Sequence, residues 1–194
     1  VCFPANFMLI AAMNPCPCGY FGVRHTRKIC RCSPDRILRY RGRLSGPLMD
    51  RFDMAVAMEV PTAQQLAGLD AMPTQGSNIE TLRDHVVQAR RRQLGRQSCL
   101  NSRLGVQALQ IQAECDPQAK QLLMQAASRW GWSARSWHRL IRVARTIADV
   151  DGEDQIRVPQ IAEAIELRRA VDGVAEAQDF EPARSVQLPA TTPS

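Results

Sequence analysis

The sequence predicts an α/β segment followed by an all-α domain, on three observations. Residues 7–13, Phe-Met-Leu-Ile-Ala-Ala-Met, form an apolar run with the length and two-sided hydrophobicity of a strand buried in a parallel sheet. Residues 53–60 alternate, with Met54, Val56, Met58 and Val60 on one face, as a strand does. From Ser77 onward the apolar positions recur at helical spacing behind helix-start signals.

In chain order, the first predicted strand ends in a polar residue, Asn14, where a parallel α/β sheet places its ligand chemistry. Residues 15–32 make a loop rich in Pro, Gly, Cys and Arg. Ser33-Pro34-Asp35 starts a helix, with Ser33 as N-cap, Pro34 at the first helical position and an acid in the first turn, and that helix is expected to end near Arg43. Ser45-Gly46-Pro47 starts a shorter one carrying Leu48, Met49 and Arg51, which feeds the second strand at Asp53. Composition changes at Pro61, and residues 61–77 read as a linker around a short apolar patch at 66–69. Beyond it, Ile79, Leu82, Val86 and Ala89 make one helical stripe. Asp116-Pro117 caps a helix bearing Leu122, Leu123, Ala126, Ala127 and Trp130. Ser133 caps the most amphipathic one, with Trp137, Leu140, Ile141, Ala144, Ile147 and Ala148 on its apolar side, and Val158-Pro159 opens a last one with Ile161, Ala162, Ile165 and Leu167. Four such helices on short connections make a small bundle. Past Gly173 the chain turns acidic, then Pro-, Ala- and Thr-rich, and is expected to be disordered. The divisions are therefore 1–60, a linker 61–77, a helical domain 78–173 and a tail 174–194.

The 194 residues carry 25 Lys and Arg against 19 Asp and Glu, a net charge of +6, but the distribution says more than the sum. Residues 24–43 hold Arg24, Arg27, Lys28, Arg31, Arg36, Arg39, Arg41 and Arg43 against the single acid Asp35. A second cluster comprises Arg83, Arg90, Arg91, Arg92, Arg96 and Arg103. Arginine suits bidentate phosphate contact, so Arg24, Arg27, Arg36 and Arg39 are candidates for phosphate or nucleic-acid contact; the alternative is a solvated helix face. No apolar run approaches the roughly eighteen residues of a membrane span. The start at Val1, with no Met and no signal segment, reads as a cut end. Seven cysteines without a signal peptide argue for a reducing, cytoplasmic setting, in which paired cysteines favour metal over disulfides.

Cys16-x-Cys18 and Cys30-x-Cys32 place two thiolate pairs on one loop. Zinc takes four soft ligands in a tetrahedron, and two chelating pairs on a flexible loop supply them; the alternatives are unligated thiols or a redox pair. Such a site is closed, hence structural rather than catalytic, and Arg27, Lys28 and Arg31 offset its negative charge. Cys2, Cys99 and Cys115 have no partner at metal spacing. Asn14 at a strand end, Arg51 beside a strand, and Arg135 in the first turn of a helix are each weak signals of phosphate chemistry, with a turn residue or surface arginine as the plain reading.

Taken together in order, these residues carry a resemblance. Ala11-Ala-Met-Asn14-Pro-Cys-Pro-Cys-Gly19, Leu44-Ser-Gly-Pro-Leu-Met-Asp-Arg51-Phe-Asp53 and the run from Ser133-Ala-Arg135 to Ala148-Asp149 strongly resemble the magnesium-chelatase-like AAA+ ATPases, in their ComM-type branch of bacterial DNA branch-migration helicases. The resemblance covers roughly residues 1–170. It implies the C-terminal part of a AAA+ P-loop NTPase core, the last strands of its parallel sheet, and a helical lid. It implies ATP with Mg²⁺ as cofactor, DNA as partner and a hexameric ring with no membrane. By position, Asn14 corresponds to sensor 1, between the hydrolytic water and the γ-phosphate, Arg51 to the arginine finger, and Arg135 to sensor 2. The Arg90-Arg-Arg-Gln93 segment and Asn101 match the lid pattern without an evident chemical role. The sequence contains no Gly-x-x-x-x-Gly-Lys-Ser/Thr and no apolar strand ending in Asp-Glu, so it reads as a carboxy-terminal fragment not expected to turn over ATP by itself. Two rivals stay open: a magnesium-chelatase motor subunit, against which the Cys-x-Cys pairs count, and a zinc-ribbon nucleic-acid-binding module, which has no need of the lid motif.

Overall fold

The computed structural model describes residues 7–23, 28–58, 60, 61, 67 and 78–175. The order is α1 (Pro34–Arg41), α2 (Gly46–Met49), α3 (Ile79–Gln97), a 3₁₀ turn (Asn101–Arg103), α4 (Val106–Gln112), α5 (Pro117–Trp130), α6 (Ala134–Asp151) and α7 (Val158–Ala175). Most of the linker 61–77 and the tail from 176 lie outside the described residues.

Capping chemistry sets the boundaries of the bundle. Asp116 Oδ1 accepts from the Ala119 N–H at 2.6 Å, Ser133 Oγ from Ser136 at 3.2 Å, and Asn78 Oδ1 from Glu80 at 3.1 Å. Each satisfies one of the four N–H groups a helix start leaves unpaired. Ser45 caps α2 in the same way, through the Leu48 N–H at 3.3 Å. Ser33 occupies the N-cap position of α1, but its side chain makes no capping bond, and α1 stops at Arg41. The start of α1 rests on Pro34 and on the Ser33 carbonyl, which accepts from Arg36 and Ile37.

The core lies among α5, α6 and α7. Leu123 and Ala126, then Leu140, Val143, Ala144 and Ala148, then Ile161, Ala164 and Ile165 pack there, with Leu104, Leu109, Ala113 and Ile156 closing one end. Trp137, Ile141, Ile147, Leu122 and Leu167 pack partly buried against it, as their spacing predicts. Trp130 instead sits at the surface, 5.2 Å from the Trp132 ring and under the guanidinium groups of Arg129 and Arg169. The segments before α5 and α7 meet in one parallel bridge between Cys115 and Ile156.

Two expectations are corrected. Residues 7–13 and 53–58 form no strand, and among the described residues there is no sheet; Phe7, Met8, Leu9 and Ile10 and also Met54, Val56 and Met58 are exposed. A parallel strand needs neighbours to pair its N–H and C=O groups and to cover both faces, and no such neighbour is among the described residues. In α3 only Ala89 of the predicted stripe is buried, whereas Ile79, Leu82 and Val86 are exposed. The contacts of α3 are made by its second half, through polar residues.

Those polar residues converge on Asp149, whose side chain is fully enclosed. Its Oδ1 accepts from Arg96 at 2.6 Å and from Arg145 at 2.9 Å, and its Oδ2 from Arg96 at 3.0 Å and Asn101 at 2.7 Å. Asn101 is held in turn by Thr146, Gln97 and, at its own N–H, Gln93. Arg145, also enclosed, donates to the Glu153 and Asp154 carbonyls beyond the end of α6. Gly152 makes that end: it has φ +82°, and a Cβ there would come within 3.3 Å of the Arg92 guanidinium. Gln93 and Asn101, to which sequence alone assigns no chemical role, are thus the polar joint between α3 and α6. No helix among the described residues is long and apolar enough to cross a membrane.

Burial alone would raise the Asp149 carboxyl, but the Arg96 and Asn101 donors and the Arg145 and Arg96 charges outweigh it and hold it below its ordinary 3.8. A lowered folded-state value means stability that is fully present above 3.8 and lost as pH falls through the folded value. Asp149→Asn is expected to cost about 3–5 kcal/mol in urea unfolding at pH 7, because it leaves two guanidinium groups without their carboxylate. That difference should shrink as the pH is lowered below 3.8.

Candidate functional site

Two places bring chemistry-bearing residues together. The first is the loop before α1. The Gly19 N–H donates to the Cys16 carbonyl at 3.0 Å, closing a turn over Cys16-Pro17-Cys18-Gly19 in which Gly19 adopts φ +83°. That turn points Cys16 and Cys18 at the returning chain, which delivers Cys30 and Cys32. All four Sγ atoms lie within 4.8 Å of one another, with Cys16–Cys18 at 3.3 Å, Cys18–Cys30 at 3.5 Å and Cys16–Cys30 at 3.7 Å. A tetrahedral ion with metal–sulfur bonds near 2.3 Å requires S···S edges of about 3.8 Å, so the cluster fits a tetrathiolate metal site. All four are free thiols, not disulfides.

The cluster divides its protons unevenly. The Tyr20 backbone N–H, aided by the neighbouring thiols, lowers Cys18 to about 6. Cys30 receives a hydrogen bond from Cys32 that pulls it down, but lost solvation and the crowding of the other three sulfurs push it up to about 12. Lost solvation and Cys18 also raise Cys32. A cation among the sulfurs would favour the thiolate form of each ligand.

Arg41 fixes this loop to α1. It is buried, donates from Nε to the Pro15 carbonyl at 3.2 Å, and lies 5.3 Å from the Phe21 ring. A residue of the basic cluster is therefore a structural tie. Lys28 sits 5.4 Å over the Tyr20 ring. Arg36 and Arg39 are exposed on α1, whereas Arg24 and Arg27 lie outside the described residues. In the second cluster Arg96 serves Asp149, and Arg92 pairs with Asp154 at 3.5 Å.

The second place is the end of α2 against α6 and α7. Arg51 is exposed and its guanidinium folds back onto the Pro47 carbonyl at 2.6 Å. Its own carbonyl accepts from Arg139, which also pairs with Asp53 at 3.1 Å. Arg135 is exposed in the first turn of α6, one turn before Arg139 and on the same helix face. The backbone of Arg51 is thus tied to the helix that carries Arg135. Asn14 stands apart, with the cysteine loop: its Cγ lies 3.9 Å from the position of a Gly19 Cβ.

The sequence that builds these two places matches known proteins along most of the chain. Residues 76–168 match the family described as magnesium chelatase, subunit ChlI C-terminal, and residues 1–66 match magnesium chelatase, subunit ChlI. The chain belongs to the magnesium-chelatase-like family. Among its relatives are the competence protein ComM of Haemophilus influenzae, 38% identical over 169 residues, and the uncharacterized protein YifB of Salmonella typhimurium, 38% identical over 180 residues. YifB of Escherichia coli is 37% identical over 172 residues. These alignments cover 87% to 89% of this chain, and the chain spans 32% of each relative.

Protein purified under reducing conditions is expected to carry one tightly held metal ion per chain by elemental analysis, and the Cys16→Ser, Cys30→Ser double variant none. A metal content near zero in the unaltered chain would refute the site.

Proposed function

We propose that the chain is the sensor half of a AAA+ ATPase subunit that works on DNA in a hexameric ring. Asn14, as sensor 1, orients the hydrolytic water at the γ-phosphate, and Arg135, as sensor 2, meets the nucleotide from the helical domain. Arg51 is the arginine finger, acting on the nucleotide of the neighbouring subunit. ATP with Mg²⁺ would be met by these three side chains, and the metal would neutralise charge on the transferring phosphate. The observation that carries this reading is the exposure of Arg51 and Arg135 on one connected unit, the Arg51 backbone being bonded to α6 one turn from Arg135. Family membership and 38% identity to a protein named for competence support it.

Zinc is the ion assigned to Cys16, Cys18, Cys30 and Cys32, because a closed tetrathiolate site suits it. The site is a scaffold that displays the basic loop and α1. Arg24, Arg27, Arg36 and Arg39 supply phosphate contacts to DNA, supported by their clustering and by the exposure of Arg36 and Arg39.

In the full-length ATPase, Arg51→Ala is expected to lower turnover by about 10³- to 10⁵-fold while ATP binding stays near normal. Mixing it with a variant lacking the phosphate-loop lysine should restore part of the activity, since mixed rings contain interfaces sound on both sides. Unchanged turnover in Arg51→Ala would overturn the assignment.

Replacing Arg24, Arg27, Arg36 and Arg39 together by Ala should flatten the log–log salt dependence of DNA affinity, by about one unit for every phosphate no longer neutralised. An unchanged slope would leave the cluster as a solvated face.

A further inference from the structure

Residues 50–53 are gripped in an alternating manner by two arginines of the helical domain. Arg168 of α7 takes the even positions, donating to Asp50 Oδ1 at 3.2 Å and to the Phe52 carbonyl at 3.3 Å. Arg139 of α6 takes the odd ones, donating to the Arg51 carbonyl and to Asp53 Oδ1 at 3.1 Å. Just beyond, the Ala55 N–H donates to the Leu167 carbonyl at 3.1 Å. Arg168 is 4% exposed and is locked from behind by Asp172 at 3.1 Å, which also accepts from the Trp132 indole at 3.2 Å. Arg168 spreads its two terminal nitrogens over its two acceptors, a planar fork that a lysine ammonium does not reproduce, whereas Arg139 reaches both of its acceptors from Nη1 alone.

We infer that Arg139 and Arg168 are positioning residues for Arg51: they fasten its backbone to the helical bundle, so that the orientation of α6 sets where the Arg51 guanidinium can reach. The inference rests on the arginine-finger reading above. The Arg51 side chain stays exposed and makes one local bond, so it alone is free to swing. Its backbone is not, because its own carbonyl is held from α6, and its neighbours are held from α7 at the Phe52 carbonyl and the Asp50 carboxylate. Arg135 and Arg139 lie one turn apart on α6, so a displacement of that helix by nucleotide at Arg135 moves the anchor of Arg51 with it. Nucleotide state in one subunit is thereby passed to the finger it offers its neighbour.

Two measurements test this. In the present chain, hydrogen exchange at the Ala55 amide should rise about tenfold or more in Arg139→Ala and Asp53→Asn, with exchange in α5 unchanged. Unaltered exchange at Ala55 would overturn the clamp. In the full-length ATPase, Arg139→Ala should lower turnover at saturating ATP about 10²-fold, the scale expected when a reacting group is misplaced by about 1 Å, with ATP affinity within about threefold. Added to Arg51→Ala, Arg139→Ala should cause no further loss, because it acts through Arg51. If Arg51→Ala is silent, the finger reading falls. If Arg51→Ala is severe while Arg139→Ala is silent, or the two losses multiply, the positioning role falls and the finger reading stands.

Discussion

The carboxylate of Asp149 is the constraint on which the helical domain depends. Its two oxygens accept four hydrogen bonds, from Arg96, Arg145 and Asn101, so its acceptor capacity is used. Those donors belong to the end of α3, the 3₁₀ turn and α6, and Arg145 extends the same network to the connection before α7. An apolar replacement of similar volume would fill the space, but it would not specify the rotation of α3 about its own axis, because α3 buries only Ala89 and Gln93. Hydrophobic packing assembles α5, α6 and α7; the carboxylate seats α3 on them.

The arginines divide by burial rather than by position in the sequence. Arg41, Arg145 and Arg168 are buried and Arg96 and Arg139 half-buried, and each donates to carbonyl or carboxylate oxygens inside the chain. Arg36, Arg39, Arg51 and Arg135 keep their side chains at the surface. A net charge of +6 therefore overstates the cationic surface offered to a partner in some places and concentrates it in others.

What is legible in the sequence is local. Asp116 and Ser133 cap helices because an N-cap needs only one side chain and an amide three residues on, and the cysteine tetrad is readable because chelation imposes short spacings. Periodicity locates the faces of α5, α6 and α7, but it misses α4 and the 3₁₀ turn, which are short. It also misreads α3, whose apolar stripe is real yet faces solvent over its first half. The Asp149 network joins Arg96 to an aspartate 53 positions away and the double clamp joins Arg168 to one 118 positions away, and nothing in a one-dimensional pattern says which distant arginine meets which aspartate. The strands expected at 7–13 and 53–60 rest on a pattern whose meaning depends on pairing partners, and pairing is the least local property of a fold.

The unequal burial of α3 has a mechanical consequence. The helix is bolted at Ala89, Gln93 and Arg96, while residues 79–88 are all exposed. Ten residues at 1.5 Å rise make an arm of about 15 Å, so a tilt of about 10° at the bolt displaces Ile79 by about 2.6 Å. Rotations of the domain too small to disturb its core are magnified at the point where the chain leaves toward residues 61–77.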